Sequence, residues 1–340
     1  MTEANPILAE VLRGDMVESV HRGAAAVVAA DGALVSGWGD IERPVYARSA
    51  IKPLQALPLV ETGAADRFRL SDTEIALACA SHNSEPEHVQ AVARWLSAIG
   101  LSPVDLECGP HLPLSEQATM QLLRAGESPS ALHNNCSGKH AGFLTTAVHL
   151  DEPTRSYSQG AHPVQQRVRQ VLEEMSGSAL VDAPAGIDGC GIPVVGLSLK
   201  ATAFAMARLG DPTTLQPARA QAARRILQAM AAAPFMVAGS RRFCTEVMQR
   251  LGTTAVVKVG AEGVFAATLP NKGLGVALKI DDGARRAAVV AIGALLAHLG
   301  VLDEADRRAL ANQLQPPVHD RSGAVVGQVR PAPGWPGELD

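Results

Sequence analysis

Strand-like runs near both ends of the chain, separated by a long helix-like stretch, constrain the fold more than any other feature. Near the beginning, residues 24–30 and 33–38 are apolar runs joined by Asp31-Gly32, a dipeptide that favours a tight hairpin turn. Near the other end, three strand-like runs alternate with turn signals: residues 254–259, 263–269 and 274–280. We therefore predict an α+β fold in which N-terminal and C-terminal strands form one antiparallel sheet, interrupted by a helical insertion.

Other patterns divide the chain further. The motif Ser84-Glu-Pro-Glu87 predicts the start of a helix that runs through Leu96, and apolar residues after Ser49 recur at helical spacing. A helix is predicted over residues 284–299 and a last strand over 323–329. We expect a single unit of 340 residues. Its sheet part covers approximately 1–135 and 252–330, its mainly helical part covers 136–251, and 331–340 form a tail.

Composition excludes several classes of protein. Hydrophobic residues make up 47% and charged residues 19% of the chain, which is typical of a globular protein. The net charge of −4 and the aromatic content of 3% argue against nucleic-acid binding, and no apolar run reaches the roughly 20 residues of a membrane span. The first six residues lack the features of a signal peptide, and five scattered cysteines without a Cys-x-x-Cys motif favour reduced thiols. We therefore expect a cytoplasmic location.

Lysine is scarce in this chain, and its scarcity draws attention to three positions. Only six of the 30 basic residues are lysine. Because arginine stays protonated whereas a buried lysine can lose its proton, a lysine kept inside a polar motif is a candidate base, nucleophile or metal ligand. Lys52, Lys139 and Lys258 lie in such motifs. A codon bias toward arginine is the alternative explanation.

The first of these motifs is the Ser-x-x-Lys formed by Ser49 and Lys52 at a predicted helix start. Their side chains share one face of the helix, and both burial and the helix N-terminus favour the neutral form of the lysine. A neutral lysine beside a serine hydroxyl is a workable pair of general base and nucleophile. Such spacing also arises by chance, so this motif alone does not decide the function.

Two further motifs occur in the order that serine penicillin-recognising enzymes use. Those enzymes carry S-x-x-K, S-x-N and K-[ST]-G along the chain. Here Ser81-His-Asn83 supplies the second motif and Lys258-Val-Gly260 the third, with Val259 in place of the usual Ser or Thr. The alternative interpretation is an ordinary loop turn at Ser81 and a surface lysine that ends a strand.

Cysteines in two glycine-containing turns are candidate metal ligands. Cys136, Lys139 and His140 lie within five residues, and Cys190 lies in a second turn that also contains Asp188. Two thiols and an amine can hold zinc with water as the fourth ligand, although zinc sites more often contain paired cysteines and a buried cysteine is more often a small hydrophobic residue. Asp188 is a candidate to bind an amine, or alternatively a turn-forming residue.

Six runs along the chain together resemble one enzyme family. These runs are Leu12-Arg-Gly14, Glu18-Ser-Val-His-Arg-Gly23, Arg48-Ser-Ala-Ile-Lys-Pro-Leu-Gln-Ala56, Asn134-Asn-Cys-Ser-Gly-Lys-His-Ala-Gly142, Asp188-Gly-Cys-Gly191 and Gly260-Ala-Glu-Gly263. They are similar to the Rhizobium etli-type L-asparaginases, also called the asparaginase II family or class 3, over about residues 7 to 330.

The resemblance implies a serine β-lactamase-like or penicillin-binding-protein-like fold, a homodimer, and hydrolysis of L-asparagine to L-aspartate and ammonia. It also implies two serine–lysine pairs, a zinc site and a group of substrate-binding residues. The two pairs map onto Ser49–Lys52 and Ser81–Lys258. The zinc site maps onto Cys136, Lys139 and Cys190, and the substrate-binding residues are Arg48, Asp188 and His140.

We expect an amidohydrolase that works by acyl transfer. In this hypothesis Ser49 attacks the side-chain amide, neutral Lys52 takes its proton, and Ser81 with Lys258 relays a proton to the leaving ammonia. Ser81 is the alternative nucleophile. Two other hypotheses stay open: a cytoplasmic penicillin-binding or β-lactam-hydrolysing enzyme, and a non-catalytic protein that binds zinc or senses an amino acid.

Overall fold

Strands from both ends of the chain form the main sheet in the computed structural model, which describes residues 4–337. The strands are β1 (Ile7–Arg13), β2 (Met16–Ala29), β3 (Leu34–Trp38), β4 (Val45–Tyr46), β5 (Ala185–Ile187), β6 (Pro193–Leu197), β7 (Val256–Val259), β8 (Val264–Leu269), β9 (Leu274–Ile280), β10 (Pro317–His319) and β11 (Val325–Pro331).

The main sheet has eight strands in the order β10-β11-β1-β2-β9-β8-β7, and β3 also pairs with β2. The long strand β2 pairs with β1 through its first half, with β3 through its second half, and with β9 along its other edge. Every pair in residues 4–337 is antiparallel. The predicted α+β fold, with one antiparallel sheet built from both chain ends, is therefore confirmed.

Helices fill most of the sequence between these strands. They are α1 (Lys52–Gln55), α2 (Leu57–Glu61), α3 (Ala64–Arg67), α4 (Asp72–Ala78), α5 (Pro86–Ala98), α6 (Glu116–Arg124), α7 (Ser137–His149), α8 (Pro163–Ser176), α9 (Leu199–Gly210), α10 (Pro217–Ala232), α11 (Pro234–Ala238), α12 (Phe243–Leu251), α13 (Arg285–His298), α14 (Glu304–Ala309) and α15 (Ala311–Leu314). No helix within residues 4–337 is long and apolar enough to cross a membrane.

Three local predictions differ from the structure. The capping box of α5 is formed by Glu85 and His88, so the helix begins one residue later than the Ser84 motif predicts. The helical run after Ser49 is broken into short helices, because a proline lies at the first turn of both α1 and α2. The mainly helical part also contains strands β5 and β6, which form a small sheet with β4 of the N-terminal part, in the order β4-β6-β5. The proposed boundaries at residues 135, 252 and 330 stay a prediction.

Helices cover both faces of the sheet at β2. Alternate residues Ala24, Ala26 and Val28 pack with Leu199 and Ala203 of α9, whereas the residues between them belong to the main core. Helix α9 also lies close to β9, where a Cβ on Gly275 would come within 2.0 Å of the Ala203 carbonyl oxygen. This close packing holds α9 against the sheet. The edge strand β7 of the same sheet contains Lys258, whose side chain is buried.

Candidate active site

A tight turn places Ser49 beside the end of the edge strand β7. Residues Arg48–Ile51 form a 3₁₀ helix, and the backbone N–H of Lys52 donates to the Ser49 carbonyl oxygen. Residues three apart eclipse one another in this helix type, so Ser49 and Lys52 lie on the same side of the turn. A Cβ on Gly260 would come within 2.9 Å of the Ala47 carbonyl oxygen, so glycine permits the close approach of the turn to β7.

Two lysines and one serine form a buried network at this point. Ser81 Oγ lies 3.1 Å from Lys52 Nζ and 2.8 Å from Lys258 Nζ. Lys258 also donates to the Val259 carbonyl oxygen at 2.8 Å, and Lys52 to the Ala80 carbonyl oxygen. Both lysines are almost completely buried, at 0% and 1% exposure. The structure therefore joins three of the four predicted catalytic residues through direct hydrogen bonds.

Ser49, the fourth predicted catalytic residue, is half-buried, and its side chain makes no hydrogen bond within residues 4–337. Lys52, which the sequence pairs with Ser49, contacts Ser81 instead. The two predicted serine–lysine pairs are therefore arranged as one network around Ser81, and Ser49 lies on the same turn as Lys52. Ser49 is half-buried, whereas Ser81 is 5% exposed.

Burial controls the charge of Lys258. It lowers the pKa of this lysine well below its usual value, and the positive charges of Lys52 and Arg242 lower the pKa further. No carboxylate hydrogen-bonds to Lys258 within the described residues to offset these effects. Lys258 is therefore suited to hold a neutral amine inside the network.

The predicted metal ligands form a second buried cluster. Cys136 is the N-cap residue of α7, Lys139 lies in the first turn of that helix, and Cys190 lies in the turn between β5 and β6. Lys139 Nζ is 3.0 Å from Cys190 Sγ. The two clusters touch, because Lys52 Nζ is also 3.1 Å from Cys136 Sγ.

The two thiols of this cluster differ in acidity. Cys190 lowers the pKa of Cys136 well below its usual value; burial opposes this shift, and the positive charges of Lys52 and Lys139 add to it. Cys136 and burial raise the pKa of Cys190. Although burial disfavours a charged Lys139, the sulfurs of Cys136 and Cys190 raise its pKa. Positive charge on the lysine and negative charge on the sulfurs therefore stabilise each other in this cluster.

An ion pair connects the turn of Ser49 with the turn of Cys190. Arg48 Nε and Nη2 lie 2.8 Å and 2.7 Å from Asp188 Oδ1. Burial opposes the negative charge of Asp188, but Lys139 and Arg48 lower its pKa below the usual value. Arg48 has φ of 51°, a conformation that costs energy in a residue other than glycine. The pair borders a cavity of about 110 Å³.

His140 is the most buried of the predicted substrate-binding residues, at 0% exposure. Its Nδ1 lies 2.8 Å from the Tyr157 hydroxyl, while Nε2 has no hydrogen-bond partner within the described residues. Burial, followed by the charges of Lys139 and Lys52, lowers the pKa of His140 well below its usual value. The ring is therefore neutral, and its role in substrate binding stays a prediction.

The whole site lies within a region that matches one family description. The sequence model of L-asparaginase II matches residues 9–331 of the chain. The chain belongs to the L-asparaginase II family. It is therefore an asparaginase-type amidohydrolase, and the predicted hydrolase activity is confirmed at that level. No curated protein sequence matches the chain significantly.

Solved structures that are similar to this asparaginase II chain share little sequence with it. Mglu in its native form is 16% identical, with 84% of this chain and 66% of that chain covered and a TM-score of 0.46. A β-lactamase from Mycobacterium bovis is 15% identical, with 81% and 94% covered and a TM-score of 0.41. A D-alanine carboxypeptidase from Burkholderia cenocepacia is 12% identical, with 80% and 93% covered and a TM-score of 0.37. The chain spans about two thirds of the length of Mglu.

The donors of the thiol cluster fit a zinc ion. Tetrahedral zinc with two thiolates and one amine places sulfur and nitrogen about 3.5 Å apart. The observed 3.0 Å between Lys139 Nζ and Cys190 Sγ requires an opening of only about half an ångström. No group of three or more His, Cys, Asp or Glu residues suitable for a metal occurs within residues 4–337, so a metal bound to the two thiols would take Lys139 as its third ligand.

The sequence analysis missed His82, which supports the asparaginase II site. His82 is fully buried, and its Nε2 lies 2.9 Å from Ser137 Oγ. It stacks on His88 with ring centroids 4.9 Å apart. Because the Ser84 N–H donates to His82 Nδ1, the ring is neutral with its proton on Nε2. His82 thus connects the segment that contains Ser81 to the start of α7. In the sequence, the signal for this role was its position between Ser81 and Asn83.

Proposed function

We propose that this chain is a Rhizobium etli-type L-asparaginase that hydrolyses L-asparagine to L-aspartate and ammonia through an acyl-enzyme. The observation that carries the proposal is the buried Lys52–Ser81–Lys258 network, with both lysine nitrogens within 3.1 Å of one hydroxyl. The half-buried Ser49 lies on the same turn as Lys52. Serine with a desolvated lysine is an established arrangement for acyl transfer.

In the proposed reaction, Ser49 Oγ attacks the side-chain amide carbon of asparagine. The serine proton enters the Lys52–Ser81–Lys258 network, and the network returns a proton to the amide nitrogen. The C–N bond then breaks, ammonia leaves, and an ester joins Ser49 to the β-carboxyl carbon. Water attacks that ester, its proton restores the Ser49 hydroxyl, and aspartate is released. The lowered pKa of Lys258 keeps an amine available for these transfers.

Arg48 and Asp188 are proposed to hold the two charged groups of the substrate. The side chain of Asp188 is 12% exposed and its pKa is lowered, so it is suited to bind the α-ammonium group. Arg48, next to Ser49 in the chain, presents its remaining N–H groups to the α-carboxylate. His140 is proposed as a further substrate-binding residue. Holding both ends of the substrate fixes the amide against Ser49.

Cys136, Lys139 and Cys190 are proposed to bind one zinc ion per chain. When bound, zinc supplies a divalent positive charge beside the Arg48–Asp188 pair, which serves substrate binding more directly than bond cleavage. A lysine ligand must be neutral and the thiols ionised, so binding displaces protons. The requirement for reduced thiols supports the proposed cytoplasmic location. Assembly as a homodimer is proposed from the family resemblance.

Ammonia release from L-asparagine and L-glutamine, with and without a chelator, tests this function. One extra methylene moves the glutamine carbonyl by about 1.5 Å relative to Ser49 when both charged groups are fixed. Misplacement by roughly an ångström costs about 100-fold in rate. We therefore expect kcat/KM for glutamine to be about 100-fold lower. Equal rates for the two amides would contradict the proposed anchoring, and efficient penicillin hydrolysis would favour a β-lactam-hydrolysing enzyme.

Ser81 is the second candidate for the nucleophile, because it hydrogen-bonds directly to both lysines. Mass spectrometry of the acyl-enzyme in quenched Ser49→Ala and Ser81→Ala proteins separates the two assignments. If Ser49 attacks, the adduct is absent from Ser49→Ala and still forms, slowly, in Ser81→Ala. The reverse pattern would move the nucleophile to Ser81.

A further inference from the structure

We propose that Cys136 is a positioning residue for the hydrolysis reaction, because its sulfur sets the direction in which Lys52 Nζ faces Ser81. This inference rests on the proposed function and gives Cys136 a role that a zinc ligand does not imply. The Nζ atom of Lys52 contacts both clusters. Lys52 Nζ lies 3.1 Å from Ser81 Oγ and 3.1 Å from Cys136 Sγ.

Lys52 has a third neighbour, the carbonyl oxygen of Ala80, which can only accept a hydrogen bond. Cys136 also accepts from Lys52 in each of its forms. As a thiol, it donates its proton to Asn135 Oδ1 at 3.2 Å, which leaves the sulfur lone pairs for Lys52. As a thiolate or a metal ligand, the sulfur has no proton to donate. Two of the three positions around Lys52 Nζ therefore hold N–H groups, one directed at the Ala80 carbonyl oxygen and one at Cys136 Sγ.

The remaining position around Lys52 Nζ faces Ser81. It holds the lone pair when the amine is neutral and a proton when the amine is charged. A proton can then pass between Lys52 and Ser81 without rotation about the Cε–Nζ bond. Without the sulfur of Cys136, an N–H of this buried group loses its acceptor, or the lone pair turns into the vacated position. Either change disturbs the alignment that proton transfer requires.

Cys136→Ala and Cys136→Ser proteins test this role, with the full chain treated with a chelator so that zinc does not contribute. Serine keeps a hydrogen-bond acceptor at residue 136, whereas alanine does not. We expect Cys136→Ala to lower kcat for L-asparagine by about 10-fold, with KM changed by less than about two-fold. Cys136→Ser should recover a large part of that loss. A general packing defect would not be rescued by serine, because it restores an acceptor and not an apolar surface.

Cys108 supplies the matched control. It is a buried thiol of the same chain that donates to the Ala131 carbonyl oxygen at 3.6 Å and makes no hydrogen bond to either lysine within the described residues. Cys108→Ala and Cys108→Ser should keep the kcat of the unmodified protein. Zinc analysis of all four variants checks that both Cys136 variants lose the metal equally, so that metal content does not explain a difference between them.

Two results would overturn the inference. Cys136→Ala with the same kcat as the chelator-treated unmodified protein would show that the sulfur does not position Lys52. Equal losses in Cys136→Ala and Cys136→Ser would show that acceptance of the hydrogen bond is not what matters. Absence of asparaginase activity in the unmodified protein would instead overturn the proposed function, and the inference with it.

Discussion

Two buried clusters in this molecule contain lysine, and they shift the pKa of a lysine in opposite directions. Lys258 lies beside another lysine and a serine, and its pKa falls well below the usual value through burial and the positive charges of Lys52 and Arg242. Lys139 is as deeply buried, but it lies beside two thiols and near Asp188, and its pKa rises. Burial is common to both sites, so the neighbouring groups decide the charge.

The opposite pKa shifts of Lys258 and Lys139 suit the two clusters to proton transfer and to metal binding respectively. No carboxylate hydrogen-bonds to Lys258 within the described residues, so burial favours its neutral amine, the form that general base catalysis requires. A cluster of thiols and an amine shares protons until a metal displaces them. Because Lys52 contacts both Ser81 and Cys136, the two clusters are neighbours rather than separate sites. The following predictions test whether this contrast between the clusters is correct, in order of expected effect.

The largest effect is expected for Lys52→Arg, which keeps a positive charge but removes a group that can lose a proton. We expect kcat for L-asparagine to fall at least about 100-fold, the lower end for loss of a general base. Steady-state kinetics on protein with a normal circular dichroism spectrum measures this. Near-normal turnover in folded Lys52→Arg protein would show that proton transfer does not pass through Lys52.

Lys139→Met should destabilise the metal-free protein, because it removes the cation that lies beside the buried sulfurs of Cys190 and Cys136. Removal of one partner from a buried ion pair costs about 3 kcal/mol. Since the folded state raises the pKa of Lys139, this contribution is fully present below the ordinary lysine pKa of about 10.4 and is lost as pH rises through the raised value. Chemical unfolding at pH 8 measures it, and the exposed Lys272→Met is the control. Equal stability of the two variants would contradict the ion pair.

Zinc affinity should fall as pH falls, because the metal displaces at least one proton from Cys190 or Lys139. We expect one zinc per chain and an affinity that drops about tenfold or more for each pH unit below pH 8. Calorimetric titration between pH 6 and pH 8 measures the slope, and Cys190→Ser should abolish stoichiometric binding. A protein that binds less than about a tenth of an equivalent would lack the site.

Lys258→Met should lose activity. At pH 7 its unfolding temperature should be equal to that of the unmodified protein or a few degrees higher. This change in stability is opposite in sign to the one expected for Lys139→Met. The folded state lowers the pKa of Lys258, so the unfolded chain binds more protons between that value and about 10.4. Stability of the unmodified protein therefore rises with pH in this window, and the advantage of methionine shrinks toward pH 10. Thermal unfolding at pH 7 and pH 10 tests the sign. A large loss of stability at pH 7 would identify Lys258 as a stabilising cation.

Most strands of the main sheet were predictable because strand signals depend on neighbouring residues. The apolar runs on either side of the Asp31-Gly32 turn correspond to β2 and β3, and the three C-terminal runs to β7, β8 and β9, whereas β1 and β10 were not predicted. Helix starts were less accurate. The capping box of α5 uses Glu85 and His88, because the Glu85 side chain also bonds the Ser240 turn, about 155 residues away in the chain. Contacts of that kind leave no local pattern.

The amino-acid sequence by itself determined which side chains this protein has for chemistry: a few lysines inside serine and cysteine motifs, and the order of those motifs along an α+β chain. Only the tertiary structure decided how they are paired. Ser81 and Lys258 are 177 residues apart, and Lys52 and Cys136 are 84 apart. Folding brings them to within 3.1 Å and removes the water around them, and it is this burial beside particular neighbours that sets their charges.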